Sequence, residues 1–305
     1  MKSLILIFSI SLLSSTSFGN SFSNPNESSC NKKTAVIFDV DDTLVDTNYR
    51  TLDILQKAGR DLKIDQLIEL EYPRVDFFCS VTVKNTGIND AILLENLCGH
   101  FDPDPNKNTL TQSIWGREFY SNPKKLHFDH VMAGAPEFVN RVLEETGAQI
   151  IYLTGRNEEL LRQGTEEELG YYGFPGFGKS SSKCAKLVMK PKSFLSDDAS
   201  FKKLIIAKLQ QQGILILAAF DDSASNANAL RELLPMNVPV IRPNRNVADS
   251  SRNKSGIEQI TNYYFNAWVD PVSGVREVKS NENQLTNIIQ QAVQVVPQLK
   301  GPASE

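Results

Sequence analysis

Two clusters of acidic residues each follow an apolar run in this 305-residue sequence. The first comprises Asp39, Asp41 and Asp42 after residues 34–38, and the second comprises Asp221 and Asp222 after residues 214–220. Carboxylates gathered in one place repel one another unless a cation neutralises them. A hard divalent ion with oxygen ligands, most simply Mg²⁺, would do so. The sequence therefore predicts a Mg²⁺ site where the ends of the two runs meet.

The spacing of Asp39 and Asp41 also indicates a reaction. Residues two apart on an extended segment point the same way. One carboxylate can attack phosphorus and form an acyl phosphate, which splits a difficult displacement into two easier steps. The other can protonate the leaving oxygen and later activate water. Thr154 follows a third apolar run, residues 149–153, and can donate a hydrogen bond to a phosphoryl oxygen. A lysine is also needed to balance charge in the transition state.

The acidic clusters and Thr154 stand at the ends of predicted strands in an alternating pattern. Compact apolar runs predict strands at 34–38, 149–153, 187–189, 214–220 and 238–241, and helical periodicity lies between them at 136–146, 158–169, 201–211 and 224–234. Pro136 suits an early helical position, and Gly147 suits the end of that helix. Alternating strands and helices predict an α/β fold with a Rossmann-like open parallel sheet. Ligands of such sheets bind at the carboxyl ends of the strands.

One long segment departs from this alternation. Residues 46–129 show helical patterns at 52–62, 91–97 and 110–120, and we interpret them as a mostly helical cap inserted after the first strand. The predicted catalytic core is therefore residues 34–45 and 130–245. The tail, residues 246–305, is expected to be irregular and to pack on the core through Tyr263, Tyr264 and Trp268, with a terminal helix at 284–296.

The N-terminal residues predict export. Lys2 precedes an almost wholly apolar stretch at residues 4–13, and small residues lead to Gly19. This order is typical of a signal peptide over residues 1–19, and a flexible leader over 20–33 would follow. The apolar stretch is too short to span a bilayer, and no membrane span is expected in the mature chain. We therefore predict a periplasmic or secreted protein.

Export permits disulfides. Four cysteines, Cys30, Cys79, Cys98 and Cys184, allow three pairings. Cys79 with Cys98 is the preferred pair because both fall in the inserted segment, and free thiols are the alternative.

The charge composition bears on whether the protein binds nucleic acid. Lys and Arg total 32 against 36 for Asp and Glu, which gives a net charge of −4, and 41% of the residues are apolar. The chain can therefore form a sizeable core. A weakly acidic protein is a poor candidate for non-specific nucleic-acid binding, which needs a basic surface. We expect a small phosphomonoester substrate and no nucleic-acid partner; these features leave the oligomeric state open.

The motifs together resemble those of the haloacid dehalogenase superfamily of phosphohydrolases. The resemblance is carried by FDVDDTL at residues 38–44, YLTGR at 152–156 and the apolar strand that ends in Asp221 and Asp222. Within the superfamily the sequence is most similar to secreted acid phosphatases of the four-aspartate type, over residues 39–49 and 133–156. The acidic residue at position 41 favours a phosphatase over dehalogenases, which need no proton donor there, and over relatives of the ATPase type, which carry threonine.

The resemblance implies roles for individual residues. Asp39 would be the nucleophile and a Mg²⁺ ligand, and Asp41 the general acid/base and a ligand through its backbone carbonyl. Thr154 would bind the phosphoryl group. Asp222 would be a further ligand of the metal, with Asp221 beside it as another candidate.

Three positions leave alternatives open. Lys202 is the first choice for the lysine that stabilises the phosphoryl charge, and Lys203 and Lys192 are the runners-up. Asn226 stands where such enzymes often have another aspartate, and its amide can ligate through oxygen or orient a metal-bound water. Aromatic residues of the predicted cap could select the leaving group or form the core of the cap: Trp115, Phe119 and Tyr120.

A competing motif lies at residues 173–180, GFPGFGKS, which fits the phosphate-loop pattern of nucleotide triphosphatases. A working phosphate loop follows a strand and opens a helix. Here a predicted helix precedes the motif, so we expect a surface loop. The nucleotide triphosphatase and a non-catalytic phosphate-binding protein on the same scaffold are the two alternative functions.

Overall fold

The structure is a computed structural model. It describes residues 30–70, 105–178, 183–244, 254–261, 268–269, 276–277 and 286–291. The predicted signal peptide, the predicted helix at 91–97, Cys79, Cys98, Tyr263 and Tyr264 lie outside these residues.

A parallel sheet forms the centre of the described structure. Its six strands are β1 (Asn31–Phe38), β4 (Ala148–Asn157), β5 (Ala185–Lys190), β6 (Leu215–Phe220), β7 (Val240–Asn244) and β8 (Ile257–Thr261). They lie in the order β5-β4-β1-β6-β7-β8, and every neighbouring pair is parallel. The predicted open parallel α/β sheet is confirmed.

Short two-residue strands accompany this sheet. β2 (Val45–Asp46) pairs antiparallel with β3 (His130–Val131), and β9 (Trp268–Val269) pairs antiparallel with β10 (Arg276–Glu277).

Strand β8 corrects the expectation that the tail is irregular. Residues 257–261 pair with β7 over its whole length. The run is short and carries polar residues, so its own pattern is too weak to predict a strand. An edge position beside β7 supplies the backbone partners that decide its conformation.

Alternating side chains of the central strand explain why it is buried. Ala35 and Ile37 pack with one group of helices, and Val36 and Phe38 pack with the other. All four are at most 1% exposed. A strand covered on both faces must be apolar at every position, which is why β1 has a continuous apolar run instead of an alternating one.

Seven α-helices are described besides a short helical stretch at residues 286–291. They are α1 (Asn48–Leu62), α2 (Asp65–Ile68), α3 (Pro105–Ser121), α4 (Ala135–Thr146), α5 (Glu158–Tyr171), α6 (Asp198–Gln211) and α7 (Ala224–Leu233). Side-chain oxygens of Asn157 and Asp197 accept hydrogen bonds from backbone amides at the starts of α5 and α6. Such caps satisfy amides that the helix itself leaves unpaired. Gly147 ends α4 with φ 60°, a conformation that glycine adopts at little cost.

Helices α1, α2 and α3 belong to the segment that follows β1, and they build a core of their own. Trp115 and Phe119 of α3 pack there with Ile54 and Leu55 of α1, and all four are buried. Strands β2 and β3 pair at the two ends of this segment, so the chain leaves the sheet and returns to it at neighbouring points.

A disulfide joins Cys30 and Cys184, whose Cα atoms are 5.5 Å apart. It links the start of β1 to the residue before β5, across 154 positions of the sequence. This pairing is compatible with the predicted Cys79–Cys98 pair, and it rules out free thiols at Cys30 and Cys184. Cross-links that close long loops stabilise small proteins by about 2–4 kcal/mol, chiefly by restricting the unfolded chain.

Two features of the described residues complete the fold. Ile288 and Ile289, in the helical stretch at 286–291, pack against the main core. In the part of the chain that the structure describes, no helix has the length and apolar character needed to cross a membrane.

Candidate active site

The register of the sheet brings the two acidic clusters together. Phe38 of β1 pairs with Phe220 of β6, and the Asp39 amide donates a hydrogen bond to the Phe220 carbonyl at 2.9 Å. Carboxylate oxygens of Asp39, Asp221 and Asp222 all lie within 4.8 Å of one another. Residues separated by about 180 positions therefore meet because their strands are neighbours in the sheet.

Lys202 is the cation that reaches these acids. Its Nζ lies 2.8 Å from Asp39 Oδ1 and 2.6 Å from Asp221 Oδ2, and the lysine is 1% exposed. Both alternatives point elsewhere: Lys203 pairs with Glu232, and Lys192 is exposed. Helix α6 carries Lys202 on its buried face next to Phe201, so its packing on the sheet aims the ammonium group at the strand ends.

Without a metal ion, ionising the buried carboxylates of the acidic cluster costs free energy. Burial raises the pKa of Asp39 to about 7, with Lys202 opposing this shift and Asp221 adding to it. Burial also raises the pKa of Asp222 well above its usual range, and the charges of Asp39 and Asp42 act in the same direction. Both shifts mean that the positive charge around the carboxylates is too small to stabilise their ionised forms. A divalent cation would supply it.

The three acids differ in how far they are already engaged. Asp221 accepts hydrogen bonds from Lys202 and from the Ser223 amide, the latter at 3.1 Å, and the Asn226 side chain also bonds to it. The Asp222 amide donates a hydrogen bond to Thr43 Oγ1 at 3.0 Å, and the Thr43 hydroxyl donates a longer one, at 3.5 Å, to Asp222 Oδ1. Among the described contacts, Asp39 and Asp222 have fewer hydrogen-bond donors than Asp221, so they are the pair best placed to hold a cation. Asn226 forms its hydrogen bond with Asp221.

Thr154 lies near the end of β4, the strand beside β1. It is fully buried, and its Oγ1 accepts a hydrogen bond from the Arg156 amide at 3.2 Å. Acting as an acceptor there leaves the hydroxyl proton to be donated elsewhere. A Cβ on the next residue, Gly155, would lie 2.2 Å from Asp198 Oδ2, so a larger residue there would require the Asp198 side chain, which pairs with Lys190, to move.

Asp41 is not part of the acidic cluster; two arginines hold its side chain. Arg50 and Arg156 both form ion pairs with it, and both arginines are completely buried. Arg156 also contacts Asp129 and Glu168. The guanidinium charges hold the pKa of Asp41 well below its usual range despite its burial, which acts in the opposite direction.

Sequence reasoning missed Arg50, Asp129 and Glu168. Arg156 stood in the quoted YLTGR motif without a role, and it is the member of the network that a motif could have revealed. Arg50 and Asp129 carry no spacing signal, because they reach Asp41 only when α1 and the residues before β3 pack against the sheet.

The three aromatic residues of α3 lie in two different environments. Trp115 and Phe119 are buried in the helical core, as the packing alternative predicted, whereas Tyr120 keeps 36% of its surface exposed. The exposed surface belongs to the rest of the side chain: the protein around the Tyr120 hydroxyl raises its pKa, and the carboxylates of Asp198 and Asp41 add to this shift. Its hydroxyl is therefore near the acidic residues of the site.

The glycine-rich motif does not have the geometry of a phosphate loop. Its described residues, 173–178, follow helix α5 and lead toward strand β5. A phosphate loop has the reverse order, strand then helix. Gly178 packs against Gly170 at the end of α5. Lys179 and Ser180 lie outside the described residues.

Comparison with known proteins identifies relatives of this fold. The model of the haloacid dehalogenase-like hydrolases matches residues 33–235. A comparison with curated proteins gave no match.

Three solved structures illustrate the similarity. A haloacid dehalogenase-like family hydrolase from Streptococcus pneumoniae is 12% identical, with a TM-score of 0.49 over 75% of this chain and 94% of its own. A predicted phosphoglycolate phosphatase from Haemophilus somnus is 13% identical, with a TM-score of 0.47 over 75% and 93%. A predicted phosphatase from Clostridium acetobutylicum is 13% identical, with a TM-score of 0.45 over 85% and 100%.

Proposed function

The chain belongs to the haloacid dehalogenase-like hydrolase family, and from that membership we propose that it is a Mg²⁺-dependent phosphomonoesterase acting through an aspartyl-phosphate. The observation that carries the proposal is the meeting of Asp39, Asp221 and Asp222 within 4.8 Å, with Lys202 in contact with two of them. A nucleophile and a cation in this arrangement suit attack on a phosphoryl group.

The donor set fits a magnesium ion. Carboxylates of Asp39 and Asp222, with the backbone carbonyl of Asp41, would hold it, since Mg²⁺ prefers oxygen ligands. When bound, the ion neutralises the charge of the phosphoryl oxygens and of the acidic cluster. The raised pKa of Asp222 supports this assignment, because burial first and the neighbouring carboxylates second leave its ionised form without a compensating positive charge.

The chain's own residues then divide the reaction into two steps. Asp39 forms a bond to phosphorus as the bond to the leaving oxygen breaks, and Asp41 delivers a proton to that oxygen. Water then attacks phosphorus, Asp41 takes its proton, and the Asp39 carboxylate is released with inorganic phosphate. Lys202 and the hydroxyl of Thr154 stabilise the charge that develops on the phosphoryl oxygens.

The acid-phosphatase type is the finer part of the proposal. The charges of the two arginines lower the pKa of Asp41 and favour its ionised form in the free enzyme, so the proton that Asp41 delivers to the leaving oxygen would first pass to it from the bound substrate. A phosphate monoester carries that proton as its monoanion, which acidic pH favours. Asn226 departs from the four-aspartate pattern; its bond to Asp221 suggests that here it orients a carboxylate instead of ligating metal. Tyr120, at the exposed edge of the site, would contact the leaving group.

The test of the function is release of phosphate from p-nitrophenyl phosphate and a panel of sugar phosphates, nucleotides and phosphoamino acids. We expect hydrolysis with Mg²⁺, a loss of at least about 100-fold with EDTA, and recovery when Mg²⁺ is restored. A well-folded sample that releases no phosphate would favour the non-catalytic binding protein. Loss of activity in Lys179→Ala, with activity retained in Asp39→Asn, would favour the nucleotide triphosphatase.

Export of the protein is also part of the proposal. The disulfide between Cys30 and Cys184 supports it, because structural disulfides persist in oxidising compartments and are rare in the cytosol. Mass spectrometry of the exported protein should give a chain that begins at Asn20 and carries this disulfide. An exported chain that retains residues 1–19, or a protein retained inside the cell with both thiols free, would contradict it.

A further inference from the structure

A buried network of charges surrounds Asp41 and extends from the sheet into the helical segment. It contains residues from five separate parts of the chain: Asp41, Arg50, Asp129, Arg156 and Glu168. Their side chains are at most 18% exposed, and both arginines are fully buried. Burying charged groups costs free energy unless they are paired with opposite charges. The ion pairs of this network offset that cost, and they fix the relative positions of its side chains.

Within this network, two guanidinium groups form ion pairs with one carboxylate, that of Asp41. Arg156 places Nε 3.1 Å from both oxygens of Asp41 and Nη2 2.8 Å from Oδ1. Arg50 adds an ion pair from its Nη2 to the same Oδ1. A carboxylate with donors on both oxygens from two planar groups has little freedom to rotate.

Arg50 differs from Arg156 in where it comes from. It lies on α1, in the helical segment, whereas Arg156 lies on a strand of the sheet. Its Nε is 3.0 Å from Asp129 Oδ1, and its Cζ lies 3.8 Å above the ring of Phe119 on α3. The guanidinium is therefore held from three sides by Asp41, Asp129 and Phe119. A lysine could not make these contacts together, because its single ammonium lacks the planar fork.

We propose that Arg50 is a positioning residue: it fixes the Asp41 carboxylate in the orientation from which Asp41 transfers a proton to the leaving oxygen. This inference rests on the proposed phosphatase function. It makes the helical segment a participant in proton transfer, since the residue that orients Asp41 is held by α1 and by Phe119 of α3.

The leaving group provides a readout that separates positioning from stability. An alkyl phosphate expels an alkoxide, which needs a proton in the transition state, so its hydrolysis depends on Asp41. The p-nitrophenolate ion is a stable anion and leaves without one. A misplaced Asp41 should therefore slow alkyl phosphates far more than p-nitrophenyl phosphate.

The experiment compares kcat/KM, which reports the step in which the leaving group departs, for an alkyl phosphate and for p-nitrophenyl phosphate in wild type and Arg50→Lys. We expect the ratio of the two kcat/KM values, alkyl to aryl, to fall by at least about 10-fold in the variant. Because both rates come from one sample, a smaller folded fraction lowers them equally and leaves the ratio unchanged. Arg60→Lys is the matched control: Arg60 is an exposed arginine on the same helix, and its ratio should equal that of wild type.

Asp129→Asn is the second variant, for use if Arg50→Lys yields no folded protein. It keeps the size of the side chain and removes one of the groups that hold Arg50, so the ratio should fall in the same direction by a smaller factor. An unchanged or increased ratio in these variants would overturn the role of Arg50. Failure of the wild type to hydrolyse either ester would instead refute the proposed function, and the two failures are thereby distinguished.

Discussion

Replacing Asp39 with asparagine should lower kcat by about 10⁴-fold or more, because an amide cannot act as the nucleophile. The fold should be retained. Asparagine has nearly the same shape as aspartate, and its side-chain oxygen can still accept the hydrogen bond that Lys202 now donates at 2.8 Å. Steady-state kinetics with p-nitrophenyl phosphate and circular dichroism measure the two parts. Asp65→Asn, at an exposed position on α2, is the control and should leave kcat unchanged.

The same variant should change how stability depends on pH in the metal-free protein. Burial raises the pKa of Asp39 from 3.8 to about 7, so the folded protein holds a proton that the unfolded chain has lost. Between about pH 4 and pH 7 the wild type therefore loses stability as pH rises, because the unfolded state binds fewer protons. The amide that replaces the carboxyl group in Asp39→Asn cannot titrate. The difference in free energy of unfolding between variant and wild type should therefore grow in the variant's favour across this interval.

Denaturant titrations in EDTA at several pH values would measure this difference. Full turnover in Asp39→Asn would refute its assignment as the nucleophile. A stability difference that does not vary with pH would show that Asp39 is ionised over the whole range, and so would contradict its buried and proton-retaining state.

Replacing Lys202 with methionine should produce the second large effect, on both stability and turnover. Methionine fills a similar volume but leaves Asp39 and Asp221 without the ammonium group that lies 2.8 and 2.6 Å from them. Removing one partner of a buried ion pair costs about 3–5 kcal/mol. Losing a donor to the transition state lowers kcat by about 100- to 1000-fold.

The loss of stability in Lys202→Met should depend on pH with a definite sign. Below about pH 7, Asp39 is protonated, and the missing cation then leaves less uncompensated charge. The destabilisation should therefore be smaller at pH 5 than at pH 8. Urea unfolding of the metal-free variant at the two pH values tests this.

Lys203→Met is the matched control for the lysine. Lys203 is the adjacent residue on α6, its side chain is 40% exposed, and it pairs with Glu232 at the surface. Surface pairs of this kind contribute little to stability, and turnover should be unchanged. If Lys203→Met abolished turnover while Lys202→Met kept it, the assignment of the catalytic lysine would be wrong.

Much of the fold could be predicted from sequence because the relevant signals are local. The apolar run of β1 reflects burial on both faces, and Pro136 and Gly147 mark the ends of α4. The acidic residues that follow β1 and β6 must lie at one edge, since parallel strands end together. Strand β8 could not be predicted in this way, because pairing with β7 decides its conformation and its own pattern does not.

The sequence by itself determines which acids lie at the ends of strands. The apolar runs mark the strands, and the acids that follow them directly must lie at the carboxyl ends. Which side chains then meet depends on how the elements pack. Packing of α6 selected Lys202 over Lys203, and the turn after β6 engaged Asp221 with Lys202 and left Asp222 better placed for a cation. Packing of α1 carried Arg50 to Asp41. These contacts join residues far apart in the chain, and their geometry arises only when the helices dock and bury the charges that must be paired.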